Sequence, residues 1–375
     1  MNPTKLSEFG LRAGAVLLVV GLLASACGGS DEPSATTAPP SEESAGEATT
    51  TEPAESDQAA GEPAEATAAE PAESDQAAAE DDGFPLTFTS CGEEFTIDSA
   101  PERVLVMETA VPSLLFAAGA IDRVVARIED FAPEYYTSEE MAVLDAIPAL
   151  QAETTSTGGA EVSMESIIDY EPDIVIGYDT ETITHDALAD VGIQLYVMPP
   201  FCDNPPTPSF ESIVDEVRFY GELFGTAEVA NASADALEDA VASAADAPVV
   251  EGKTSAALYV SSDGSAVYAY SSLGMVHPLM EALGMDNVFG ELSERVPEVS
   301  IEEIIDRNPE ILVLLYSDLD VTPEEISALV TDLPGAGSIT AVAEGAVYPL
   351  LFNFAEPPSP IVVKGLSVLS DQIAE

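Results

Sequence analysis

Few side chains in this sequence are of the kind that make and break bonds in a recognisable constellation. The two histidines, His185 and His277, each stand alone, and there is no G-x-S-x-G, G-x-x-x-x-G-K-[ST], H-E-x-x-H or C-x-x-C. The nucleophile elbow, the phosphate-cradling loop, the zinc-protease helix and the redox dithiol are therefore missing as motifs. Gly335-Ala336-Gly337-Ser338 lacks the preceding strand and the last glycine of a dinucleotide fingerprint and reads as a turn. Asp and Glu number 69 against 10 Lys and Arg, so carboxylate pairs of the glycoside-hydrolase kind arise by chance. What remains is recognition: aromatic faces for apolar or conjugated ligands and guanidinium groups for anionic ones. Tyr178, Tyr316 and the scarce Arg127 stand near the ends of predicted strands, where open α/β sheets bind their ligands. Taken singly, each tyrosine is explained by half-buried packing; together they favour a pocket. A binder with no catalytic residue and no resident metal or cofactor follows, and a carboxylate-based cell-surface hydrolase is the remote alternative.

The elements that must position these residues come in two similar sets. VSMESIIDYEPDIVIGY at Val162–Tyr178 and VSIEEIIDRNPEILVLLY at Val299–Tyr316 share Val, Ser, Glu, Ile, Ile, Asp, Pro and Ile in register. Each copy predicts a helix stopped before a proline and then a strand. Around the first copy the apolar runs predict strands at Arg103–Met107, Val124–Arg127, Asp173–Gly177 and Gln194–Met198, with a helix near Val111–Ala118 ending at Gly119 and a polar loop holding Tyr135 and Tyr136. Around the second they predict strands at Ala256–Val260, Ala266–Tyr270, Ile311–Leu315 and Ala346–Leu350, an Asp263-Gly264 turn, a helix Met275–Leu283 closed by Gly284, and a last helix about Pro360–Ile373. Ser300 with Glu303 predicts a capping box. Alternating strands and helices suggest an α/β fold with parallel sheets covered by helices.

Between the two copies, Pro208 to Ala247 reads as helix, with Phe210, Ile213, Val214, Val217, Tyr220 and Phe224 at three- and four-residue spacing, resumed by Ala230, Ala234, Leu237, Val241 and Ala244. Thr207-Pro208 is the expected cap and first-turn proline, and Gly225 the expected interruption. At about 1.5 Å per residue the second piece, roughly 20 residues, spans about 30 Å. It is either a strut between two lobes or a surface helix within one continuous domain.

At the N-terminus Lys5 and Arg12 flank the start of an apolar run, Ala13 to Ala26, too short to span a bilayer comfortably. This is an export signal, residues 1–26. Its end, Leu23-Ala24-Ser25-Ala26-Cys27-Gly28, resembles the lipobox of bacterial lipoproteins, with Ala24 where the commonest form has Leu; the resemblance makes Cys27 the lipidated first residue of the mature chain. An ordinary signal peptide with a coincidental cysteine is the alternative. Residues 27–83 continue as an acidic Ala/Pro/Glu/Ser/Thr stretch, with EPAESDQAA at Glu52–Ala60 and again at Glu70–Ala78. Such a composition cannot offset chain entropy by burial and is expected to be a disordered tether. The remainder divides into an N-terminal lobe at 84–207, the connecting helix at 208–247 and a C-terminal lobe at 248–375.

The net charge of -59 repels polyanions and argues against a nucleic-acid partner; a saline habitat is one source of such acidity. If Cys27 carries a lipid, Cys91 and Cys202 remain, and outside the cytoplasm they are expected to pair. Zinc is the competing use, but two cysteines without an adjacent histidine make a poor ligand set.

Several runs together carry a more specific likeness. PERVLVMETAVPSLLFAAGAIDRVVAR at Pro101–Arg127, the two V-S-x-E patterns, YAYSSLGMVHPLMEALGMDNVF at Tyr268–Phe289 and ITAVAEGAVYPL at Ile339–Leu350 resemble, in order and spacing, the substrate-binding lipoproteins of ABC importers for ferric siderophores, cobalamin and haem. The resemblance implies two Rossmann-like lobes with mainly parallel sheets, joined by one long α-helix, with the ligand in a shallow cleft and little lobe movement on binding. It implies a monomer anchored on the outer face of the cell membrane, whose partners are an ABC permease and an iron chelate, cobalamin or haem. It assigns permease docking to Glu165 and Glu302, one per lobe; the plain alternative is that both carboxylates complement a helix N-terminus. It adds Tyr268 and Tyr270 to the pocket, with Phe352 and Asn353 after the strand Ala346–Leu350 and Arg295 just before the second repeat. The position where some hydroxamate binders carry arginine falls in Thr154–Gly159, which has none. For haem, His277 or a pocket tyrosine would be the axial ligand.

Overall fold

The structure is a computed structural model that describes residues 83–128, 131–150, 153–154, 160–260, 266–317 and 319–375, with the backbone alone at 153–154, 160 and 161. The export signal, Cys27, the tether as far as residue 82, most of Thr154–Gly159 and the Asp263-Gly264 turn lie outside the described residues.

A hairpin opens the described chain: β1 (Leu86–Ser90) and β2 (Glu93–Ile97) pair antiparallel with Phe88 opposite Phe95. Its turn places Cys91 at φ 50° and Gly92 at φ 88°. The first lobe then runs through β3 (Val104–Val106), α1 (Val111–Ala118), β4 (Val124–Arg127), α2 (Ser138–Ala146), β5 (Glu153–Thr154), β6 (Ala160–Glu161), α3 (Met164–Ile168), β7 (Ile174–Gly177), α4 (His185–Ala189) and β8 (Gln194–Val197). Four of these strands form one parallel sheet in the order β4-β3-β7-β8. Both faces are covered, so its strands are apolar throughout rather than alternating. Val104 and Val106 enter one core cluster with α1, while Leu105 enters another with Val175 and Leu195.

Two helices follow, α5 (Phe210–Leu223) and α6 (Ala227–Asp246). The break comes at Gly225, with φ 66°, and the second piece has 20 residues. The start differs from the expected Thr207-Pro208: the cap is Ser209, whose hydroxyl accepts the Ser212 N–H at 3.1 Å while Ser212 returns a bond to the Ser209 N–H at 3.2 Å. The reciprocal serine pair satisfies the first-turn N–H two residues further on, so the helix begins at Phe210 and Pro208 stays outside it. Gly221 lets the helices touch, because a Cβ there would lie 2.3 Å from the Ala230 Cβ. Along α6 the buried Ala230 and Ala234 pack with α1 in the first lobe's core, Leu237 lies against both cores, and Val241 and Ala244 lie against the second lobe's. The helix therefore joins two lobes.

The second lobe runs β9 (Lys253–Val260), β10 (Val267–Ala269), α7 (Val276–Ala282), β11 (Met285–Asn287), α8 (Ile301–Arg307), β12 (Ile311–Tyr316), α9 (Pro323–Thr331), α10 (Thr340–Glu344), β13 (Val347–Leu351) and α11 (Pro360–Ala374). Its sheet has the order β10-β9-β12-β13, with β11 also on β9; only β10 is antiparallel. The two sequence repeats become α3–β7 and α8–β12, each strand lying inside its sheet. At Ser300 only half of the expected box forms. The hydroxyl accepts the Glu303 N–H at 3.2 Å, but the Glu303 carboxylate turns to Arg307 at 3.0 Å. A guanidinium one turn away outcompetes a backbone N–H. Helices α2, α4, α9 and α10 and strands β1, β2, β5, β6 and β11 are not foreseen by the apolar runs; the helices are short and carry few buried residues.

Candidate functional site

The segments that leave the carboxyl ends of the strands in both lobes meet one another. Asn353, just after β13, donates its backbone N–H to the Tyr135 hydroxyl and its side-chain N–H to the Thr109 hydroxyl, both at 3.0 Å. The ring of Phe354 meets that of Tyr135 edge-on at 5.0 Å. Lys364 of α11 donates to the Glu134 carbonyl at 2.6 Å. An apolar cluster runs through this seam, joining Phe131, Tyr135, Tyr136 and Ile213 to Leu351, Phe354 and Ile361.

Beside the seam lies a narrow cleft with a cavity volume of about 50 Å³, smaller than the roughly 300–1,000 Å³ of sites that enclose a drug-sized ligand. Its first wall is the proline-rich stretch after β8, from Met198 to Pro208, with Ser212 and Glu216 of α5. Its second wall is Leu273, Met275, Arg295, Glu356 and Pro358. The proline wall is tied down by the Cys91–Cys202 disulfide, which joins the hairpin turn to the loop entering α5.

Three charged groups set the electrostatics of the cleft. Glu356 is fully buried and holds the Arg295 guanidinium, whose side chain is 38% exposed. It also accepts the Val276 N–H at 3.3 Å. Gly274 makes room for it, since a Cβ there would stand 2.7 Å from the Glu356 carboxylate. Burial pushes the Glu356 carboxyl above its usual range, with Arg295 pulling it back, while the pair keeps Arg295 protonated. Across the cleft Glu216 accepts the Tyr196 hydroxyl at 2.9 Å. Burial pushes its carboxyl up to about 7, against the lowering effect of that hydrogen bond.

The residues singled out in the sequence fall into separate groups. Tyr270 is buried beside Arg295 and Glu356, and burial raises its hydroxyl well above the ordinary range. Tyr316 ends β12, half-buried, paired with Leu351 just before Phe352. Phe352 meets Tyr259 edge-on at 6.0 Å, and the Tyr259 hydroxyl lies 3.2 Å from that of Ser317. Tyr268 is half-buried on β10 opposite Tyr259. In the first lobe Arg127 is buried, donating to the Leu144 carbonyl at 3.1 Å and lying over the Phe131 ring at 4.9 Å. Tyr178 packs on Phe201 at 5.6 Å. Of the expected ligand residues Arg295 lines the cleft; Arg127, Tyr178, Tyr268, Tyr270, Tyr316 and Phe352 are not among its lining residues, and Asn353 belongs to the seam. His277 has Glu281 at 3.5 Å on one ring nitrogen and Asn287 at 3.5 Å on the other; His185 stacks on Phe95 at 4.7 Å. Among the described residues no group of three His, Cys, Asp or Glu could hold a metal ion. Glu165 and Glu302 are both exposed in the first turns of α3 and α8.

Sequence reasoning missed Glu216, Glu356 and Tyr259. The signal for Glu356 was a carboxylate in a proline-rich run directly after a strand. Glu216 carried a fainter one, a charge amid the apolar spacing of α5.

Comparison with known proteins fits this geometry. The profile of the family described as Periplasmic binding protein matches residues 104–352. Among solved structures, one described as an ABC-type Fe3+-hydroxamate transport system from Saccharomonospora viridis is 37% identical, covers 78% of this chain and 100% of its own, and superposes with a TM-score of 0.71. A periplasmic haem-binding protein from a Roseiflexus species is 18% identical, with 73% and 98% coverage and a TM-score of 0.56. The vitamin B12-binding protein of Vibrio cholerae is 16% identical, with 73% and 96% coverage and a TM-score of 0.53. The last two share the fold. No curated protein sequence matches the chain.

Proposed function

Since this chain belongs to the periplasmic binding protein family, whose members bind solutes and are not enzymes, we propose that it captures a ferric siderophore between its lobes and delivers it to an ABC permease. The observation that carries this reading is the 37% identity, over 78% of the chain, to a protein described by Fe3+-hydroxamate transport. That likeness favours a hydroxamate despite the lack of arginine in Thr154–Gly159. Iron here is cargo, held by its chelator.

In this reading Arg295, Tyr270, Tyr268, Tyr316, Phe352 and Asn353 belong to the ligand wall of the second lobe, and Arg127 and Tyr178 to that of the first. The aromatic rings supply contact area to the chelator's carbon backbone. Cys27 carries the lipid, residues 27–83 form the tether, and the folded lobes work as a monomer on the outer face of the membrane. Glu165 and Glu302 meet basic residues of the permease.

The chain contains 11 tyrosines and no tryptophan, so tyrosine emission reports binding directly. Titration with ferric trihydroxamates, ferric tricatecholates, haem and cobalamin should give saturable quenching with a ferric siderophore. Saturation by haem or cobalamin alone would replace the cargo while keeping the fold; haem would add a Soret band.

A further inference from the structure

Ten Lys and Arg occur in the chain, and all but Lys5 and Arg12 lie after residue 83. Every one of those eight is described, and every one has a partner inside the protein. Arg103 donates to the Tyr170 and Glu171 carbonyls, and Arg123 to the Pro101 carbonyl. Arg218 pairs with Asp235 and Glu238, Lys253 with Glu310, and Arg307 with Glu291 and Glu303. The remaining three stand near the seam: Arg127 on the Leu144 carbonyl and the Phe131 ring, Arg295 on Glu356, and Lys364 on the Glu134 carbonyl. The charged side chains that line the cleft are two carboxylates, Glu216 and Glu356, and one guanidinium already taken by the second of them.

We infer that the cleft selects ferric chelates without net negative charge, neutral or cationic, and discriminates against anionic ones; this rests on the siderophore reading above. Chelator chemistry divides along the same line. Three hydroxamates cancel the charge of ferric iron, whereas three catecholates leave the complex strongly negative, and haem carries two propionates. An anionic complex would need uncompensated positive charge to meet it; the exposed N–H groups of Arg295 can still donate hydrogen bonds, but the buried Glu356 carboxylate already neutralises the guanidinium charge. Like charges brought together across an interface suppress the wrong partner. A neutral or cationic complex displaces nothing and finds Glu216 and the surrounding acidity favourable.

A series that shares one iron centre tests this on the purified full chain: a linear ferric trihydroxamate with a free terminal amine, the same compound acetylated, and the same compound succinylated to a carboxylate. Affinity should run amine at least equal to acetyl, with the succinyl form weaker than the acetyl form by about tenfold or more. The gap should narrow between 0.1 M and 1 M salt, as the screening length falls from about 10 Å to about 3 Å. Glu356→Gln should also narrow it by releasing Arg295, and the salt series on the unmodified chain carries the test if that variant does not fold. Equal or tighter binding of the succinyl form overturns the charge selection while leaving the siderophore reading standing. If no member of the series binds and haem or cobalamin does, the siderophore reading fails and the selection falls with it.

Discussion

The Asn353 side chain donates to the Thr109 hydroxyl at 3.0 Å across 244 positions of sequence, and its backbone N–H reaches Tyr135 from the same spot. One residue thus fastens the two lobes at their seam. Tyr135→Phe removes the only acceptor this structure gives that backbone N–H while keeping the ring that packs on Phe354. Leaving a buried donor unpaired costs about 1–3 kcal/mol. Urea unfolding should show that loss, with solution scattering reporting a wider separation of the lobes. An unchanged midpoint and profile would mean that the seam is held by the apolar cluster alone.

The Cys91–Cys202 bond closes a separation of 111 residues. In the chain-entropy account a closure of this length stabilises by about 4–5 kcal/mol. The double substitution Cys91→Ser and Cys202→Ser should cost that much in denaturant midpoints compared without reductant. It should also weaken ligand binding, because the bond holds the proline wall of the cleft.

Much of the framework was legible in the sequence because it rests on strong local signals. Gly119 and Gly225 end helices at the expected places with positive φ, and strands buried on both faces show as uninterrupted apolar runs. The repeated V-S-x-E pattern placed α3–β7 and α8–β12 before any pairing was known. The site was less legible. Arg295 and Asn353 stood out as polar groups available to a ligand, yet one holds Glu356 and the other ties the lobes together. Their partners lie 61 and 244 positions away, and separations of that size leave no trace in local spacing.

The Arg295–Glu356 pair is asymmetric, with a side-chain exposure of 38% on the arginine and 0% on the glutamate. Arg295→Met leaves a buried carboxylate without its cation, a change that costs about 3–5 kcal/mol. Glu356→Gln leaves an arginine that can turn to water and keeps a group able to accept the Val276 N–H, so its cost should be nearer 1–3 kcal/mol. Thermal and urea unfolding of the two variants should keep that order at neutral pH. The Arg295→Met loss should shrink in acid, where Glu356 takes up a proton instead.

Glu216 provides the pH-dependent test. Its carboxyl is raised from 4.5 to about 7 in the folded protein, so between those values the folded state binds more protons than the unfolded one. Stability from this group is full below about 4.5, declines as pH rises and is gone above about 7, a change of up to about 3 kcal/mol. Glu216→Gln keeps an acceptor for the Tyr196 hydroxyl and should remove this part of the slope. The variant should therefore be the more stable protein at pH 8, and identical slopes for the two proteins would contradict the shift.

Glu165 and Glu302 occupy the same place in the two repeats and are both exposed, whereas the neighbouring Glu303 is held by Arg307. If their role were only to complement helix N-termini, reversing each charge would cost about 0.3–1 kcal/mol and leave transport intact. If they meet basic residues on the permease, Glu165→Arg with Glu302→Arg should reduce iron uptake into cells by tenfold or more. Tyrosine-quenching affinity for the chelate should change less than twofold, because neither residue lines the cleft. Each single reversal should fall between, one lobe still being able to dock. Unimpaired uptake by the double variant with normal ligand affinity would assign both glutamates to their helices alone.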